Sequence, residues 1–339
     1  MGIYLVAFAL FYACGLSITV GYHRYFSHKT YETNAVIETI ILFFASLSAQ
    51  GSALKWASDH RIHHAYVDTD KDPYSIKKGF WIAHVMWLFW DAPSLEQKVV
   101  PDLMKNPRVM WQHKYHIRIF IFANIFVWLF FGWLFQAYLA SFIWIWWVRL
   151  FFLHHCTWFI NSLAHYWGSK DYSREHSAMD NYIISLLTFG EGYHNYHHTF
   201  ANDYRNGVKW YHYDPSKWII WTLSKLGLAT RLRKTRRFRI EEKIILARKA
   251  ELLDRLHGCL LQQKDNLEEA IETMSKELLH KLSLWKELLQ QQKELQKKNQ
   301  QELAQNFKQK VRDVRNAFKK DCKKWQALSK QVLRITVPA

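Results

Sequence analysis

The stretch from Ile3 to Val20 carries no charged side chain, and it restricts the fold more than any other feature of the chain. Peptide groups in hydrocarbon find no water to bond, so a segment crossing a bilayer must satisfy them internally, as a helix does. At about 1.5 Å per residue the run is just long enough to cross a core of roughly 30 Å. It lacks the basic leader and small-residue cleavage site of a removed signal peptide. Two further apolar runs, Ile119–Leu134 and Phe142–Leu153, flank the uncharged residues 135–141, which predicts a tight hairpin of spanning helices. The expected spans are therefore 3–20, 119–134 and 142–158. Lys114 and Arg118 precede the hairpin, Lys170 and Arg174 follow it, and its turn has no cation, so the flanks are expected in the cytosol. Arg149, inside the second helix, is expected to face protein, water or headgroups, with the helix extending beyond the bilayer. The run Ile37–Ala49 is too short to span and is expected to lie at the interface or against protein.

Charge divides the chain near residue 230. Residues 1–230 hold 19 Lys/Arg against 15 Asp/Glu, whereas residues 231–339 hold 27 against 14, so most of the formal +17 belongs to the tail. The tail is rich in Lys, Gln, Glu and Leu, which are strong helix formers. Leu253, Leu256, Leu260, Leu267, Ala270 and Met274, with Gln263 filling one place, repeat at three- and four-residue steps. Phe307, Val311, Val314, Phe318, Trp325, Leu328 and Val332 do so again. Two amphipathic helices are expected, joined as a hairpin or an interrupted coiled coil, because Gln290–Gln305 is too polar to hold a seam. The tail's cations alternate with acids, so no nucleic-acid partner is expected, while an anionic membrane surface and self-association both fit. The four cysteines are scattered without a Cys-x-x-Cys pair, which leaves neither a disulfide framework nor a zinc ribbon.

Nine of the 18 histidines fall in compact groups: His23 and His28; His60, His63 and His64; His165; and His194, His197 and His198. Positions i, i+3 and i+4 share a helix face, so each trio is expected to converge on one point, as are Asn161 and His165. His23 and His28 are roughly 140° apart around an α-helix, so they should serve different metals or sit where a helix ends. Nine imidazoles exceed one closed zinc shell and imply two ions. No cysteine joins them, and an all-nitrogen, open-sided shell suits iron that must bind dioxygen, although zinc and copper also accept imidazole. Asp59, Asp68, Asp70, Asp72, Asp180, Glu191 and Asp203 lie near the groups and are candidates to orient the ring N–H groups.

These residues resemble the membrane-bound acyl desaturases, and among them the stearoyl-CoA (Δ9 acyl-CoA) desaturases. The similarity is carried by Gly21-Tyr-His-Arg-Tyr-Phe-Ser-His28, Trp56-Ala-Ser-Asp-His-Arg-Ile-His-His64, Trp158-Phe-Ile-Asn-Ser-Leu-Ala-His165 and Gly190-Glu-Gly-Tyr-His-Asn-Tyr-His-His198. It runs from about residue 5 to 222, including Asp203-Tyr-Arg-Asn-Gly207 and Trp210-Tyr-His-Tyr-Asp-Pro215, and stops before the tail. The resemblance implies an all-α integral membrane protein with a cytosolic histidine-box cap and a long C-terminal helical extension. Residues 1–230 would form the membrane-embedded desaturase domain, in a bacterial inner membrane or an endoplasmic reticulum, and 231–339 the extension. It implies a non-haem di-iron centre with His23, His28, His60, His63, His64, His165, His194, His197 and His198 as ligands and Asn161 reaching metal through water. Substrate contacts would fall at Trp56, Asp59, Lys114 and Trp158, with Ser58 standing where animal relatives carry a basic residue. The family's spanning helices include a pair before the first box, where this chain has room for one, so a missing helix or a truncated start is expected.

The implied reaction is the O2-dependent insertion of a cis double bond, at Δ9, into a saturated long-chain acyl-CoA. Such chemistry needs a metal-bound oxidant, since no side chain can oxidise a methylene. No His-Pro-Gly-Gly and no Gly-x-Gly-x-x-Gly is present, so electrons should come from a separate protein of ferredoxin, rubredoxin or cytochrome b5 type. Hydroxylation on the same irons is the alternative chemistry, and a membrane-anchored interaction protein acting through its basic tail is the alternative of another class.

Overall fold

A computed structural model describes residues 1–89, 94–257 and 264–335. The chain divides into two compact units, residues 1–170 with 176–234, and residues 171–175 with 235–339.

Three helices of the first unit are long and apolar enough to cross a membrane: Gly2–Ser27, Pro107–Leu134 and Tyr138–His165. They cover the three expected spans and extend beyond each. At about 1.5 Å per residue, 26 to 28 residues measure roughly 40 Å, so some 10 Å of each projects past the hydrocarbon. Their outer faces carry Phe122, Phe126, Trp133, Phe151 and Phe152, all more than half exposed. So much contiguous apolar surface is stable only against lipid. This is a membrane protein.

Arg149 meets protein. Its guanidinium is 2% exposed, donates to Cys14 Sγ at 3.2 Å and to the Leu47 carbonyl at 3.4 Å, and bonds Asn124 Oδ1. The segment expected from Ile37 to Ala49 forms the 12-residue helix Ala35–Ser46, capped by Asn34, whose Oδ1 accepts from Val36 and Ile37. Its inner face, Ile41, Leu42 and Ala45, packs with Ile18, Val20, Leu54 and Ala57 in the core beneath the histidines.

The second unit is an antiparallel arrangement of three helices, Arg237–His257, Lys264–Lys297 and Gln301–Leu333, rather than the two expected. Its core holds Leu252, Leu256, Ile271, Leu278, Leu282, Trp285, Val311, Phe318, Trp325 and Val332. The second repeat lies on one helix as expected. The first does not, because Leu253 and Leu256 belong to the Arg237–His257 helix and Leu267, Ala270 and Met274 to the next; Leu260, Gln263 and Cys259 lie outside the described residues. The polar stretch 290–297 stays helical, and the reversal comes at 298–300, where Asn299 takes φ +56°. Polarity removes a seam there without removing helix propensity.

Candidate metal centre

The first helix changes its winding as it approaches the first box. Ser17–Ser27 is π-helical, and the His28 amide donates to the His23 carbonyl five residues back at 3.1 Å. This i→i+5 bond brings the two imidazoles, 4.9 Å apart between ring centres, onto one face. The expectation that they serve different ions is overturned, since the 140° separation belongs to α-helical winding. His28 does sit where the helix ends.

The other imidazoles come from the Ala53–Tyr66 helix, the turn Leu163–His165 and the short helix His194–Thr199. Nine ring nitrogens form two groups, His23, His28, His60, His64 and His197 in one and His63, His165, His194 and His198 in the other, each within 4.8 Å mutually. Neither trio converges on a single point. On each helix the i, i+4 pair faces one group and the third histidine faces the other: His60 and His64 against His63, His194 and His198 against His197. The reason is angular: consecutive residues such as His63 and His64 diverge by about 100°, so they straddle two centres. Each helix thereby ties the two groups together.

The donor set fits metal. His197 Nε2 lies 2.9 Å from both His23 Nε2 and His64 Nε2, and His28 Nε2 lies 2.8 Å from His60 Nε2. A ring nitrogen carries one proton or one lone pair, so His197 Nε2 cannot satisfy two such neighbours by hydrogen bonding. Nitrogens held about 2.1 Å from a shared ion at right angles stand about 3.0 Å apart, which is the observed spacing. In the second group, His63 Nε2 and His165 Nε2 are buried without a hydrogen-bond partner among the described residues. Burial, then repulsion among neighbouring imidazoles, pushes His28, His60, His64, His194, His197 and His198 well below their ordinary pKa. Neutral imidazole is the ligand form.

Behind the rings stand several of the named acids. Glu191 Oε2 is 2.9 Å from His23 Nδ1, and Asp72 Oδ1 is 2.9 Å from His63 Nδ1. His165 Nδ1 meets Ser177 Oγ at 2.6 Å, and Ser177 donates to Asp68 at 2.5 Å. Asp180 accepts from the Tyr196 amide and Asp203 from the Tyr196 hydroxyl, bracing the helix that bears three ligands. Asp59 instead pairs with Lys55, and the Asp70 carbonyl accepts from Lys78. Glu191 is placed by Gly190, whose φ of +98° and approach to Asp214 Cα, 2.7 Å from where a Cβ would stand, admit no side chain. Its carboxylate takes Arg24 Nη2 at 2.8 Å and Asn206 Nδ2 at 2.5 Å, and Arg24 also pairs with Asp214 at 2.9 Å. Burial alone would raise the Glu191 pKa, but Arg24 and His23 hold it below the usual carboxylate range.

A cavity of about 460 Å³ opens against the first group, with His23 and His60 in its wall. Trp56, Asp59, Trp158 and Asn161 line it, and Trp56 stacks on His60 with ring centres 4.9 Å apart. Lys114 does not line it; it is exposed, with its ammonium over the Tyr115 ring. The cavity's lysine is Lys55, one helical turn before Asp59 and bonded to both its oxygens at 2.5 Å. That i, i+4 spacing was the signal available for Lys55. His154, whose ring bonds the Ser48 carbonyl at 2.7 Å, and Thr157, which accepts from Gln50 at 3.1 Å, also line the cavity without any sequence signal.

A sequence model described as fatty acid desaturase matches residues 2–233. The chain belongs to the fatty acid desaturase family. It is 42% identical over 255 residues to a probable acyl-CoA desaturase of Schizosaccharomyces pombe, an alignment covering 74% of this chain and 53% of that protein. To acyl-CoA desaturase 1 of Saccharomyces cerevisiae it is 39% identical over 244 residues, 70% of this chain and 48% of the relative. To stearoyl-CoA desaturase 5 of Bos taurus it is 33% identical over 261 residues, 74% of this chain and 75% of the relative. The chain thus spans about half the length of the two yeast relatives it matches. The family match ends where the first unit ends, leaving the three-helix unit outside it.

Proposed function

We propose that this chain is an acyl-CoA desaturase: a membrane oxidoreductase that uses O2 and two non-haem irons to insert a cis double bond, at Δ9, into a saturated long-chain acyl-CoA. The single observation that carries the reading is the pair of all-histidine groups, the first of which borders an apolar-walled cavity. The names of the relatives support the acyl-CoA substrate.

The nine histidines are the proposed iron ligands, with Asn161 acting through water. Bound iron would supply the oxidant that a methylene demands. The protein's own work is placement. Asp72 keeps the proton of His63 on Nδ1, which leaves its Nε2 lone pair for metal, and the Glu191 carboxylate stands 2.9 Å from His23 Nδ1 on the side away from the cluster. Ile18, Trp56, Leu88, Trp158 and Ile160 offer apolar wall to an acyl chain and exclude water around it. A chain held there passes His23 and His60, so its distance from an anchored polar head decides which carbons react. Lys55 and Asp59, half-buried on the same wall, are the proposed contacts for that head. Lys114, exposed outside the cavity, is a contact only for parts of the substrate beyond it.

Electrons are supplied by a separate donor protein, and the histidine side of the first unit faces the cytosol, as Lys114, Arg118 and Lys170 argue. The test is expression in a host that lacks unsaturated fatty acids, with a competent donor supplied, beside His197→Ala. Restored monounsaturated chains in the wild type alone support the reading. Products that gain an oxygen instead of losing two hydrogens would assign hydroxylation.

A further inference from the structure

The three helices of the second unit share a core but not a charge. Lys264–Lys297 carries six Lys/Arg and seven Asp/Glu, whereas Gln301–Leu333, of nearly equal length, carries nine Lys/Arg and three acids. The surplus is ordered, which corrects the expected alternation of cations with acids for this helix. At about 100° per residue, Lys308, Arg312, Arg315, Lys319, Lys323 and Lys330 fall within about 80° of arc, turned away from buried Val311, Phe318, Trp325 and Val332. All six are exposed. Glu302, Asp313 and Asp321 project outside that arc.

Elsewhere in the unit, several cations are used internally. Lys249 pairs with Glu272, Arg248 with Glu251, Arg237 with Glu241, and Lys281 and Lys324 with Asp321. No member of the stripe has a carboxylate within ion-pair distance among the described residues; Arg315 lies over the Trp285 ring at 5.8 Å. Six like charges held in one row repel each other, and no carboxylate among the described residues neutralises them, so they are matched to an anionic surface outside the unit.

The first unit supplies that surface by connectivity. Its last residues are fixed beside the first histidine box: Ala229–Thr230 pairs antiparallel with Glu32–Thr33, and the Arg233 amide donates to the Thr30 carbonyl at 2.8 Å, two residues past His28. The chain therefore leaves the membrane unit on its histidine-bearing side. There it runs through Arg231, Arg233, Lys234, Arg236 and Arg237 directly into the bundle. Such a tether makes phosphate headgroups the most concentrated anions the stripe can meet.

We propose that the Lys308–Lys330 stripe is a docking surface for anionic phospholipid headgroups of the leaflet on the histidine side, which holds the tail unit against the membrane. Cations near an anionic bilayer each favour the docked state about fivefold, so two neutralisations should lower the docked-to-free ratio about 25-fold.

The full chain, with a fluorescent protein fused after Ala339, is placed in nanodiscs of phosphatidylcholine alone or with about one-third phosphatidylserine, each carrying a rhodamine lipid acceptor. Energy transfer should be higher in the anionic discs. It should fall as ionic strength rises from about 0.1 M to about 1 M and the screening length contracts from about 10 Å to about 3 Å. Changing the six stripe residues to Gln should remove the difference between discs, and Lys319→Gln with Lys323→Gln should give an intermediate value. Unchanged helical circular dichroism checks that the exposed substitutions leave the bundle folded. Equal transfer in both discs, or a six-Gln variant that behaves as wild type, overturns the proposal. So does displacement from anionic discs by a short DNA duplex at equimolar concentration, which would assign the stripe to nucleic acid. None of these readouts depends on desaturation.

Discussion

Replacing Glu191 by Gln tests the proposed metal centre at the residue that joins it to the buried charge network. The carboxylate lies 2.9 Å from His23 Nδ1, 2.8 Å from Arg24 Nη2 and 2.5 Å from Asn206 Nδ2, so donors surround both oxygens. An amide of the same shape must turn its NH2 toward one of those donors, losing one charge-assisted hydrogen bond worth about 1.5–3 kcal/mol. The usual loss on removing the partner of a ligating histidine is about 10–100-fold in metal affinity, or about 1.4–2.7 kcal/mol, and the two routes agree. Arg24 keeps Asp214 at 2.9 Å, so the fold should lose less than the roughly 3–5 kcal/mol of a buried charge left alone. The assay is iron retained by purified protein against graded chelator, with thermal unfolding in parallel. Glu191→Gln should release iron at about 10–100-fold lower chelator activity, while Asp59→Asn, whose carboxylate bonds Lys55 and no imidazole, should match wild type. Wild-type iron retention in Glu191→Gln, beside lowered thermal stability, would refute the reasoning and make Glu191 purely structural. The sign with pH is also fixed. Because the Glu191 pKa is depressed, its stabilisation is present above the ordinary carboxylate range and disappears as pH falls through the folded value; the variant should lack that acid-side loss.

Single substitutions in different groups should be separable: His197→Ala should weaken the ion of the five-histidine group first and His63→Ala that of the four-histidine group, read as two distinct chelator midpoints. Metal-free protein should gain stability as pH rises toward about 6.5 and level off above, since buried histidines with lowered pKa take up protons on unfolding; thermal midpoints after chelation check the direction. Arg149→Leu strands Asn124 Oδ1, while the Leu47 carbonyl keeps Asn124 Nδ2, and should cost about 1–3 kcal/mol in the membrane unit, measured as a fall in the detergent unfolding midpoint. Phe318→Ala, in the tail core, should cost about 3–5 kcal/mol of the tail's stability while leaving iron content unchanged, as limited proteolysis beside metal analysis would show.

The sequence alone determined the membrane helices and the density of imidazole. An uncharged stretch such as Ile3–Val20 admits one low-energy backbone in lipid, and that constraint is local, so reading it needs no partner. The same holds for the seam Val311, Phe318, Trp325 and Val332, which tertiary packing then buries. What tertiary structure decided was allocation. Spacing groups His60, His63 and His64 on one helix, but the division of each trio between two groups depends on a second helix approaching from the other side. The π-helical turn that unites His23 with His28 likewise has no signature in residue spacing, because it is set by packing and by the site it serves. Lys55, rather than Lys114, reaches the cavity for the same reason: periodicity gives a residue's direction on its own helix, whereas the distance to a site across the fold is a property of how helices pack.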